Sequence, residues 1–152
     1  MKCAINDTIA YIKNLAQDLA GCDTNCAVLS MMFDLAIPAN YDGFEYLKAA
    51  IIIQYENPTQ DLVNNIYEIL AKHYGISPYM ISSAIRSAVK TARSRSSPEK
   101  WCKYLPTVSM DKPSAPTNAE VIAGLARTLE LLQGCSNAFL RQQHKEVVSC
   151  ER

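Results

Sequence analysis

Ser82, Arg86, Lys90 and Arg93 follow one another at four- and three-residue intervals, with Ser83 and Ser87 beside them and no acidic residue between 78 and 95. On a helix such spacing gathers side chains onto one stripe. Short hydroxyls let a backbone come close to a groove floor and its phosphates, and an arginine can donate two hydrogen bonds to guanine O6 and N7. The chemistry of this stripe is therefore the binding of a polyanion. Arg86 is the expected base reader, while Lys90, Arg93 and Arg95 are expected to neutralise phosphates, which gives affinity without sequence information. Ser77 and Tyr79, at the start of the same segment, complete the surface expected to face double-stranded DNA.

Bond-making chemistry finds less support. His73 and His144 lie far apart, and neither a glycine-rich phosphate loop nor a nucleophile elbow is present, so the chain reads as a non-enzyme without cofactor or small-molecule substrate. Cys22 and Cys26 could offer two metal ligands on one helical face, but a structural zinc needs four and no second pair has useful spacing. Cys3, Cys22, Cys26, Cys102, Cys135 and Cys150 are irregularly spaced and are expected to be free thiols of a cytoplasmic protein. No signal-peptide core opens the chain, and charged or amide residues interrupt every apolar run, so no membrane association is expected.

The formal net charge is zero, yet the charges are segregated. Residues 1–71 hold three basic side chains against nine acidic ones, whereas residues 72–103 hold seven basic ones (Lys72, Arg86, Lys90, Arg93, Arg95, Lys100, Lys103) against Glu99 alone. A neutral chain with one basic block has a preferred anionic partner, and nucleic acid is the commonest. The plain alternative is a solvated charged face.

The elements that must position the stripe are helical, because apolar residues recur at three- and four-residue intervals almost throughout. The pattern predicts an all-α, compact multi-helix domain. Ile5, Ile9, Ile12, Leu15 and Leu19 mark a first helix within 1–22. Cys26, Leu29, Phe33 and Ile37 mark a second ending before Pro38, and a third runs from about Asp42 to Tyr55, broken by Asn57-Pro58. Leu62, Ile66, Ile69 and Leu70 carry a fourth to His73, and Gly75 supplies the residue most easily placed in the left-handed conformation that ends helices. Ser77-Pro78 starts a fifth, with Ile81, Ile85, Ala88 and Ala92 on its buried side. Ser97-Pro98-Glu99 starts a short sixth. Residues 106–116 read as an ordered loop, Thr117-x-x-Glu120 as a capping box, and Ile122, Leu125, Leu129 and Leu132 as a seventh helix stopped by Gly134. The expected division is an N-terminal helix over 1–22 packing on the core, a domain over 23–134 with six core helices, and a polar, helix-capable tail over 135–152. Only the turn Tyr74-Gly75-Ile76-Ser77 separates the fourth and fifth helices, which forces them to cross steeply and share a small core, the geometry of a helix-turn-helix.

Several separated blocks resemble one family in the same order: Ile37-Pro38-Ala39 with Gly43-Phe44-Glu45-Tyr46-Leu47, Ile69-Leu70-Ala71-Lys72, Ala84-Ile85-Arg86-Ser87-Ala88, Ala92-Arg93-Ser94-Arg95, Thr107-Val108-Ser109-Met110 and Pro116-Thr117-Asn118-Ala119-Glu120. Over residues 25–132 the chain resembles the C-terminal effector domain of the stage zero sporulation protein A response regulators of spore-forming bacteria. The resemblance implies a six-helix DNA-binding domain whose helix over 78–95 enters the major groove of short operator boxes, controlling genes at entry into sporulation. It also implies that Arg86 matches a base-contacting arginine, and that Lys112 and Pro116-Thr117-Asn118 match a segment near the DNA backbone. Two departures stand out. Ser82-Ser83 replace a Glu-Arg pair of the family, and Asn40 replaces a histidine near the start of a helix, which alters groups expected to touch bases or phosphate. A receiver of roughly 120 residues precedes the family domain, whereas a single predicted helix precedes the resemblance here, so phosphorelay control is not carried over.

The expected function is a sequence-specific transcriptional regulator, with a homodimer on paired half-sites and a contact with RNA polymerase as further expected partners. The alternative is a protein-interaction or decoy module on the same fold that has lost specific DNA reading.

Overall fold

Side-chain caps and left-handed turns set several of the helix boundaries among the described residues. The computed structural model describes residue 10 and residues 23–58, 63–105 and 115–150. Within these, α1 spans Thr24–Asp34, α2 Asp42–Glu56, α3 Val63–Tyr74, α4 Pro78–Arg95, α5 Pro98–Tyr104 and α6 Asn118–Cys150. The Asp23 carboxylate caps α1 by accepting from the Cys26 amide at 2.8 Å. This satisfies one of the amides that a helix start leaves without an intrahelical partner. At its other end Ala36 takes a φ of 59° and the Ile37 amide reaches back to the Met32 carbonyl at 3.0 Å. A left-handed alanine is strained by about 1–2 kcal/mol. Burial of Ile37 and Pro38 just beyond holds the chain in that turn.

The second helix, α2, lies at the centre and packs most extensively against α4 and α6. Its Phe44, Leu47, Ala50 and Ile51 meet Val28, Met31 and Met32 of α1, Ile66 and Leu70 of α3, Ile81, Ile85, Ala88, Val89 and Ala92 of α4, and Val121, Ile122, Leu125, Leu129 and Leu132 of α6 in one core. The all-α expectation and the six core helices agree with this architecture. One phase differs: the buried side of α1 is Ala27, Val28, Met31 and Met32, while Cys26 and Phe33 are exposed. Phe33 instead lays its ring 5.6 Å from that of Phe44 at the margin of the core. Cys26 carries a free thiol.

The short α5 is tied to distant parts of the fold. Trp101 is fully buried and its indole N–H donates to the Ser96 hydroxyl, and the Tyr104 hydroxyl donates to Asp34 Oδ2 at 2.8 Å. Lys100 reaches the other oxygen of Asp34 at 3.6 Å.

Gly134 does not end a helix. The seventh helix of the sequence pattern continues as α6 to Cys150, through the expected stop and into the expected tail. Gly75 has a φ of 70°, whereas Gly134 is not among the positive-φ glycines. A helix-interior glycine costs only about 1 kcal/mol relative to alanine, and Leu131, Leu132 and Gln133 before it are strong helix formers. The helix expected within 1–22 lies outside the described residues, apart from Ala10, as does most of the 106–116 loop. No helix among the described residues is long and apolar enough to cross a membrane.

Candidate nucleic-acid interface

The end of α3 and the start of α4 form the turn on which the site depends. Gly75 accepts the left-handed conformation without a Cβ penalty. The amides of Gly75 and Ile76 both return to the Ala71 carbonyl, at 2.9 and 3.1 Å, closing α3 in a Schellman-type turn. Two residues later the Ser77 hydroxyl accepts from the Met80 amide at 3.2 Å, and Pro78 occupies the first turn of α4. Ala71 and Ile81 are buried and Ile76 half-buried, so the turn encloses the small shared core of a helix-turn-helix.

With Ile81, Ile85, Ala88, Val89 and Ala92 turned inward, the exposed crest of α4 consists of Tyr79, Met80, Ser83, Ser87, Lys90, Ser94 and Arg95. This corrects the stripe drawn from the sequence. Ser82, Arg86 and Arg93 are half-buried, Ser82 and Arg86 along the edge facing the start of α6. The cause is geometric: at about 3.6 residues per turn, a set advancing by four, four and three drifts around the helix.

That edge is held by two hydrogen bonds. Arg86 Nη1 donates to the Pro116 carbonyl at 2.8 Å, and the Asn118 side-chain amide donates to the Ser82 carbonyl at 3.0 Å. Asn118 is only 8% exposed, so its place in the expected DNA-facing set is corrected: it braces α6 against α4. Thr117 remains exposed and forms the capping box, its amide donating to Glu120 Oε2 at 2.8 Å and its hydroxyl accepting from the Glu120 amide at 3.2 Å. Lys112 lies outside the described residues.

On the opposite edge Gly43 brings α2 against α4 so closely that a Cβ there would sit 2.1 Å from the Ala84 carbonyl oxygen. This contact sets Asn40, Tyr41 and Asp42 beside Ala84 and Ser87 in a shallow groove. Asn40 and Ser87 are thus neighbours, although 47 positions separate them in sequence. Asp42, the first residue of α2, suits the positive end of its own helix and opposes a phosphate in the groove. Sequence reasoning missed the positioning roles of Gly43 and of the Pro116 carbonyl. A glycine directly after a helix start is the one signal that pointed to close backbone approach.

The electrostatics of the crest are one-signed. Within α4 no residue is acidic, and Lys90 and Arg95 are exposed and enter none of the ion pairs among the described residues. Lys72, exposed in the last turn of α3, extends the basic surface across the turn. Such a surface fits a phosphate backbone while its small hydroxyls permit close approach. The family model described as "Sporulation initiation factor Spo0A C terminal" matches residues 28–129, which include α1 through α5 in large part and the first turns of α6.

Proposed function

The chain belongs to the family of sporulation initiation factor Spo0A C-terminal domains, a DNA-binding effector family, and from that membership we propose that it reads operator sequence through α4 in the major groove. The observation that carries the proposal is the crest of α4: short hydroxyls at Ser83 and Ser87, cations at Lys90 and Arg95, and no carboxylate on the helix. Arg86 is the base reader of the proposal. Its bond to the Pro116 carbonyl engages one N–H and leaves the rest of the guanidinium fork as donors. Lys90, Arg93 and Arg95 neutralise phosphates, Ser77, Tyr79, Ser82, Ser83, Ser87 and Asn40 line the contact, and Lys112 and Thr117 meet the backbone. A homodimer on paired half-sites and a contact with RNA polymerase complete the proposed assembly.

The test is a titration of a family-type operator duplex and a scrambled duplex with wild type, Arg86→Ala and Arg86→Lys at several salt concentrations. Neutralising three phosphates gives a slope of log K against log salt of roughly −2.7. Arg86→Ala is expected to remove about 1–3 kcal/mol of preference for the operator, and Arg86→Lys to keep the salt slope without restoring that preference. Absence of binding at low salt would overturn the proposal. It would favour the protein-interaction reading, to which Ser82-Ser83 in place of the family's Glu-Arg pair already lends support.

A further inference from the structure

The first turn of α4 carries two large side chains that the fold leaves uncovered: Tyr79 is 80% exposed and Met80 54%. They are the second and third residues of the helix, and Ser83 and Ser87 follow them along the crest. Long apolar groups therefore lead and short hydroxyls follow. N-terminal residues of a recognition helix are those that meet base edges. Met80 has only a weak acceptor, and Tyr79 a single hydroxyl at the far end of an apolar ring, so neither supplies the paired donors and acceptors that read guanine or adenine. The thymine C5-methyl is the apolar group that base pairs present in the major groove.

We infer that Tyr79 and Met80 read thymine methyls, and that the bound half-site carries thymine where the first turn of α4 meets the groove. The inference rests on the major-groove reading proposed above and adds the chemical class of base that this turn selects. The surrounding cations Lys72, Lys90 and Arg95 hold the phosphates on either side, which brings the uncovered apolar pair against the base edges.

The experiment enriches bound duplexes from a random pool with the full chain, then replaces each thymine of the enriched site in turn by deoxyuridine. This deletes the methyl and leaves every hydrogen-bonding group of the base in place. One or two positions are expected to lose about fourfold in affinity, the equivalent of one buried methyl group. In the double variant Tyr79→Ser, Met80→Ser the same replacements should change affinity by less than about 1.5-fold. Both positions are exposed, so an unchanged thermal midpoint and an unchanged salt slope will establish that the variant is folded and keeps its phosphate contacts. Tolerance of deoxyuridine at every position, or a penalty that persists in the double variant, overturns the inference while specific binding preserves the reading beneath it. A pool that binds without enrichment also overturns it. If no duplex binds at low salt, both fall, and loss of self-association in the double variant without loss of methyl discrimination assigns the pair to a second copy of the chain.

Discussion

Along the edge of α4 that faces α2, contact is steric: Gly43 has no side chain, and the Ala84 carbonyl and the Ala88 methyl occupy the space a side chain would need. Along the edge that faces α6, contact is polar, made by Arg86 on the Pro116 carbonyl and by Asn118 on the Ser82 carbonyl. The first depends on missing atoms and admits no enlargement. The second depends on direction and can exchange with water. Together they fix how far α4 is rotated about its own axis, and hence that Tyr79, Ser83, Ser87 and Lys90 form the crest.

Gly43→Ala is expected to produce the largest effect, about 3 kcal/mol of lost stability, because backbone on both sides must shift to admit one methyl. Urea denaturation measures it, and a smaller loss than that of the polar edge would break the comparison. Asn118→Ala should cost about 1 kcal/mol. It removes one hydrogen bond but also a buried side-chain oxygen that has no hydrogen-bond partner, which offsets part of the loss. Tyr41→Phe should be the smallest. The Thr91 hydroxyl lies 3.5 Å from the Tyr41 hydroxyl, at the limit of a hydrogen bond, so a change in stability below about 0.5 kcal/mol is expected. A loss above 1 kcal/mol in the same denaturation experiment would show that the α2 edge has a polar component after all.

The helices and their starts were legible because caps and periodicity are local. Ser77-Pro78, Gly75 and the Thr117-x-x-Glu120 box all act within a few residues of themselves, and each acts as its residue types imply. The interface was legible in composition and less so in placement. Which half of the basic stripe is exposed depends on partners 30 and 36 residues away, Pro116 for Arg86 and Asn118 for Ser82, and no spacing rule within α4 contains them. Gly75 and Gly134 make the same point for backbone. One sits where a tight turn demands a positive φ and the other where helix formers carry the helix through, and residue type alone does not separate them.

Asp34 closes the fold on itself. By receiving Tyr104 and Lys100 it joins the end of α1 to α5 across 70 residues of sequence. The helix-turn-helix lies wholly inside that span, so it is an enclosed segment and not a detachable module. Its amides are therefore expected to exchange with solvent mainly through the cooperative opening of the whole domain, and native-state hydrogen exchange measures this.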